Sequence, residues 1–129
     1  MAAKRTKEPK KSKKPTKAAL AKRLRGIKLL SLDVDGVQTD GGLYYTETGE
    51  QLRKFNVRDG VGIKQVMAAG IAVVIVTASK TRAIAHRGRT LGVPHVFVGV
   101  EDKCAAIAGL CEDLGIAMKN VADMGDVFQ

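Results

Sequence analysis

The chain is 129 residues long, 45% apolar and 4% aromatic, with a formal net charge of +9. That size suits one domain with a core of modest size, and no apolar run is long enough to span a bilayer or to read as a targeting segment, so a cytoplasmic location is the default expectation. The charge is uneven: residues 1–25 carry eleven Lys and Arg against Glu8 alone, whereas residues 26–129 carry eleven against twelve Asp and Glu.

The opening stretch "KRTKEPKKSKKPTKAALAKRLR" has two prolines and almost no apolar residue before Ala18. It has too little surface to bury, so disorder is expected to about residue 17, with a short basic helix over 18–25 leading into the domain. Residues 1–25 are therefore read as a basic tail and 26–129 as the folded domain. The preferred reading of the tail is a solvated extension. The alternative is attraction to nucleic acid or an anionic membrane surface, although no aromatic residues interleave the lysines.

"IKLLSLDV" (27–34) is a continuous apolar run, as expected of a strand covered on both faces. "GLYYTETGEQLRKF" (42–55) reads as a β-hairpin around "TETGE". "DGVGIKQVMAAG" (59–70) has helical spacing and a glycine stop, and "IAVVIVT" (71–77) is a second buried strand. Then follow a helix (79–92), a strand "HVFVG" (95–99), a helix (101–115) and a strand opening at "NVADMGD" (120–126). Strands alternating with helices imply a parallel sheet. The fold class is α/β, a Rossmann-like parallel sheet with a hairpin inserted after the first strand. Cys104 and Cys111 lie seven apart on the last helix, beside Ile107, Ala108 and Leu114, and are expected to be core thiols. No further Cys or His pair has zinc-ligand spacing.

In such sheets chemistry gathers at the carboxyl ends of the strands. Those ends carry Asp33 and Asp35, then Thr77, then Lys103 at the following helix, then Asp126. Carboxylates crowded on one rim repel one another. A divalent cation such as Mg²⁺ resolves the conflict, being held by one or two carboxylates together with water and phosphate oxygens. A lysine beside them suits a phosphoryl group as a point charge. The chemistry implied is phosphoryl transfer.

On "DVDGVQTDG", "VTAS", Lys103 and "MGD" the chain resembles the haloacid dehalogenase superfamily of aspartate-nucleophile phosphatases. With "DVDGVQTDGGLYY" and "KFNVRDGVGIK" it resembles more closely the 3-deoxy-D-manno-octulosonate 8-phosphate phosphatase family, across residues 26–126. The resemblance implies a Mg²⁺-dependent sugar-phosphate phosphatase of lipopolysaccharide precursor synthesis, without a large cap domain. It also implies a homotetramer in which the hairpin, residues 42–56, reaches a neighbour's active site. Asp33 would be the nucleophile, forming an aspartyl-phosphate, and Asp35 the general acid and base. Asp33, the Asp35 carbonyl and Asp126 would bind Mg²⁺. Thr77 and Lys103 would hold the phosphoryl group, and Gly36 would let the backbone turn closely around it. Arg58 either contacts the substrate carboxylate or ties down the hairpin base, and Asp40 orders the loop.

Five residues depart from the family pattern. Gln38 stands where Leu is usual, and Thr77-Ala78-Ser79 replaces Thr-Gly-Arg. Asp123 and Val127 are also unusual, and the family continues for several dozen residues beyond its last motif. A C-terminally shortened relative is therefore expected. The alternatives to an active phosphatase are an inactive shortened relative, or a non-catalytic assembly or binding module whose basic tail carries the function.

Overall fold

A computed structural model describes residues 16–125. A short helix, α1 (Lys17–Arg25), comes first, capped by Thr16, whose Oγ1 accepts from the Ala19 amide at 3.1 Å. Its residues are exposed or half-buried and none enters the core, in keeping with the expected basic lead-in helix. The remainder of the expected tail lies outside the described residues.

Four strands form a parallel sheet: β1 (Leu29–Leu32), β4 (Ala72–Val76), β5 (His95–Phe97) and β6 (Val121–Met124), in the order β5-β4-β1-β6. β1 is central, with Leu32 in register with Ile75 on one side and Met124 on the other. The reason is visible in β4, where successive residues point to opposite faces and both faces are apolar. Val73 and Ile75 pack with Leu32, Val34, Ile63, Ile84 and Leu91. Val74 and Val76 face the other way, with Leu29, Ile107, Leu110 and Cys111. Helices α2 (Val57–Ala68) and α3 (Arg82–Leu91) thus cover one face and α4 (Lys103–Leu114) the other. The chain builds outward from β1 to β5 and then returns across the sheet to β6, so the connections diverge beside β1. That divergence opens a crevice at the carboxyl ends of the strands.

The expected elements are all present, with shifted ends that have local causes. The helix expected from Asp59 begins at Val57, because Asn56 Oδ1 caps the Arg58 amide at 2.7 Å. The helix expected from Ser79 begins at Arg82, leaving Ser79 and Thr81 free for side-chain bonding. The hairpin is shorter than its sequence suggested. Only β2 (Tyr44–Tyr45) and β3 (Gln51–Leu52) pair, because the turn from Thr46 to Glu50 takes up the middle. Cys111 is a core thiol, but Cys104 is exposed, contrary to expectation. The buried stripe of α4 is Ile107, Leu110 and Cys111. Cys104 lies at its flank in the first turn, next to an open cavity rather than the sheet. Helix α3 approaches β5 closely: a Cβ at Gly88 would lie 2.5 Å from Val96 Cγ2.

At the amino ends of the strands, Asn120 ties β6 to the start of β1. Its carbonyl accepts from the Lys28 amide at 2.8 Å, and its Nδ2 donates to the Gly26 carbonyl at 2.7 Å. Helix α1 therefore joins the sheet at the edge opposite the crevice.

Candidate active site

The crevice holds a cavity of about 1180 Å³ at the carboxyl rim, and Asp33, Asp35, Thr77 and Lys103 all line it. Four of the residues that the sequence marks for phosphoryl chemistry are thus brought together from three separate segments. Asp33 directly follows β1, and its amide donates to the Met124 carbonyl at 3.0 Å, so the sheet ladder sets its backbone. Its side chain is 3% exposed. Oδ1 accepts from the Val34 amide at 2.9 Å. Oδ2 takes no aligned hydrogen bond among the described residues; Lys103 Nζ meets it at 3.1 Å as an ion pair. A carboxylate this buried requires such a counter-charge, because desolvation disfavours its anion. Lys103 opens α4, whose N-cap Asp102 accepts from the Ala105 amide at 3.0 Å. The capped helix start thereby sets the lysine at the rim.

Thr77 follows β4 and is equally buried. Its Oγ1 accepts from the Ser79 amide at 3.1 Å, which leaves the hydroxyl proton to be donated. The cavity is also lined by Asp123 and Cys104, neither of which the sequence singled out for chemistry.

Gln38, unusual in the sequence, is buried. Its Nε2 donates to the Asp33 carbonyl at 2.9 Å, while the Val37, Gln38 and Thr39 amides all converge on the Val34 carbonyl. This wraps the loop that follows Asp33 and carries Asp35. Gly36 stands in that loop at φ 81°, a conformation that favours glycine, but it is exposed and does not line the cavity.

Asp35 is held by an arginine that the sequence reading passed over. Arg53, just after β3, donates from Nε to Asp35 Oδ1 at 2.7 Å and from Nη2 to Oδ2 at 3.2 Å. Nη1 also donates to Thr81 Oγ1 at 3.0 Å and Gln51 Oε1 at 3.2 Å, and Nη2 to Ser79 Oγ at 3.2 Å. Eighteen residues separate Arg53 from Asp35, so no local pattern links them. The hairpin also carries Glu47, Glu50 and Lys54, so the charge of Arg53 did not single it out.

Arg58 does not join this group. It is exposed in the first turn of α2 and lines a second concavity of about 620 Å³ with Gln38, Asp40, Lys54 and Phe55. The hairpin base is held instead by Arg87, whose Nη2 donates to the Asn56 carbonyl at 3.1 Å and whose guanidinium lies 5.3 Å from the Phe55 ring centre. Asp40 orders its loop as expected, its Oδ1 accepting from the Gly42 amide at 2.9 Å.

The donor chemistry suits a hard cation. Asp33 and Asp35 supply oxygens at the cavity, and Asp33 Oδ2 lacks an aligned hydrogen bond. Among the described residues no group of three or more His, Cys, Asp or Glu could hold a metal ion. Asp126, the expected third ligand, lies outside them.

No protein-family model matches the chain. Over 112 residues it is 43% identical to the 3-deoxy-D-manno-octulosonate 8-phosphate phosphatase of Escherichia coli K12. The chain is a relative of these phosphatases. The match takes in 87% of this chain and 60% of that protein. The structure superposes on the Moraxella catarrhalis 3-deoxy-D-manno-octulosonate 8-phosphate phosphatase, solved with magnesium ion, phosphate ion and a KDO molecule, with a TM-score of 0.78 at 34% identity. That superposition covers 81% of this chain and 60% of the other. The cobalt-bound deoxy-D-mannose-octulosonate 8-phosphate phosphatase of Haemophilus influenzae gives 0.76 at 38% identity, covering 81% and 61%. The fold is that of the haloacid dehalogenase superfamily, and the chain spans about 60% of the length of the curated relatives it matches.

Proposed function

We propose that the chain is a Mg²⁺-dependent phosphomonoester hydrolase acting on a sugar phosphate, with 3-deoxy-D-manno-octulosonate 8-phosphate as the substrate. The observation that carries this is the meeting of Asp33, Asp35, Thr77 and Lys103 in one cavity of a chain 43% identical to phosphatases of that name. Asp33 is the nucleophile. A bond forms between its carboxylate oxygen and phosphorus as the bond from phosphorus to the ester oxygen breaks, and the departing oxygen takes a proton from Asp35. Asp35 then accepts a proton from the water that attacks the aspartyl-phosphate, releasing inorganic phosphate and restoring Asp33. Thr77 donates its hydroxyl proton to a phosphoryl oxygen, and Lys103 turns from its ion pair with Asp33 to share the incoming negative charge.

Asp33, the Asp35 carbonyl and Asp126 would hold the Mg²⁺, which screens the nucleophile from the anionic ester. Gly36 serves as the turn that carries Asp35, and Arg58 contacts substrate from the neighbouring concavity. The folded part is a haloacid dehalogenase-like domain from residue 26 onward. Leu43, Tyr44, Tyr45 and Leu52 leave the hairpin with an exposed apolar surface, which supports assembly of a homotetramer through residues 42–56. We place the enzyme in the cytoplasm, in lipopolysaccharide precursor synthesis; among the described residues no helix is long and apolar enough to cross a membrane.

The test is release of inorganic phosphate from 3-deoxy-D-manno-octulosonate 8-phosphate. Release is expected with Mg²⁺, should stop with a chelator and should return when Mg²⁺ is restored. No release from this or other sugar phosphates would remove the proposal.

A further inference from the structure

Arg53 has a geometry that sets it apart from a substrate-binding arginine. A guanidinium carries five N–H donors in a fixed planar fork. Here five hydrogen bonds engage that fork, two to Asp35 and one each to Thr81, Ser79 and Gln51. The side chain is 4% exposed and does not line the cavity. With its donors committed and its charge enclosed, Arg53 has nothing to offer an incoming phosphate. Its partners instead come from the loop after β1, the loop after β4 and the hairpin strand β3. The hairpin thereby reaches both loops of the rim through one side chain.

Asp35 needs such a hold. Its carboxylate is 39% exposed, on a loop whose next residue is Gly36 at positive φ. It lies beyond the strand ladder, whereas Asp33 has its amide in the ladder and its carboxylate on the Val34 amide and Lys103. An unrestrained aspartate in water samples several rotamers, and a proton-transfer group must keep hydrogen-bond reach of one oxygen. A bidentate contact to a guanidinium already fixed by three other groups selects a single carboxylate plane. The lone pairs turned away from Arg53 remain on the cavity side, since Asp35 lines the cavity.

We infer that Arg53 is a positioning residue for the proton transfer made by Asp35, so that the hairpin contributes to the chemical step as well as to any assembly. The inference rests on the phosphatase reading above. Its signature is dependence on the leaving group. An alkyl ester such as 3-deoxy-D-manno-octulosonate 8-phosphate expels an alkoxide that needs Asp35's proton. 4-Nitrophenyl phosphate expels a stable phenolate that does not.

The experiment compares kcat/KM, which reports the step in which the leaving group departs, for both esters with Mg²⁺ present. Arg53→Met keeps much of the stem and removes the fork. It is expected to lower kcat/KM for the alkyl ester on the order of 10²-fold, the scale of a misplaced catalytic group, and for the aryl ester by less than about 3-fold. Arg53→Lys, able to reach one oxygen as a point charge, should restore the alkyl ester to within about 10-fold of the unmodified chain. Equal losses on both esters, or a gain on the alkyl ester, would overturn the positioning role while leaving the phosphatase reading in place. Turnover of neither ester by the unmodified chain would overturn both.

Discussion

Asp33 and Asp35 stand two residues apart, and the molecule holds them by different means. Asp33 sits on the last rung of the sheet, with its amide bonded to Met124, its carbonyl to Gln38 and its carboxylate to Val34 and Lys103. Asp35 is beyond the ladder, and its side chain is held by Arg53 from a two-stranded hairpin. The first position shares the stability of the core. The second depends on a peripheral element tied on by Arg53, by the Arg87 contacts at its base and by Phe55 packed against the core. On the proposed mechanism Asp33 is the nucleophile and Asp35 the group that gives and then takes a proton, so the core fixes the one and the hairpin orients the other.

The sharpest break of this comparison is Asp33→Asn. On the proposed mechanism this removes the nucleophile and should reduce phosphate release at least ~10⁴-fold while the fold survives, because the neutral amide is easier to bury than the carboxylate. Circular dichroism alongside the phosphate assay checks both halves. Ile75→Ala should come next. It removes a fully buried side chain from β4, beside β1, and should cost about 3 kcal/mol of unfolding free energy in urea. Arg53→Met should cost much less, since the hairpin lies outside the two core clusters; comparable losses would erase the distinction between core-held and hairpin-held carboxylates. Gln38→Leu is the mildest. It leaves the Asp33 carbonyl without its amide donor and should cost about 1 kcal/mol, read in the same unfolding experiment. No loss would mean that the sheet alone sets the Asp33 backbone.

How much of this was legible beforehand follows from the range of each interaction. β4 could be read because six consecutive apolar residues, 71–76, admit few other placements. The Asp33 and Asp35 pair could be read because a DxDG stretch directly after an apolar strand places its own charges at the rim. Thr77 and Lys103 followed by the same logic, one at a strand end and one at a helix start. Arg53 was not legible, because a contact across eighteen residues depends on how the hairpin folds back, which no spacing encodes. Gln38 stood out only as an unusual residue, and its role needed the loop conformation. Cys104 misled because seven-residue spacing defines a helix face but not how far the sheet extends beneath it. Arg58 was read as a substrate contact or as a tie for the hairpin base through the family resemblance of its segment, and it lines the other concavity.

The Asn120 knot at the amino edge of the sheet has a practical consequence. It anchors α1 at the end of β1 remote from Asp33, roughly 20 Å away by the rise of an extended strand. A bead, an electrode or a fused carrier that meets this amino edge would therefore leave the cavity mouth directed away from it. Immobilised this way, the chain would keep its cavity as open to solutes as it is in solution.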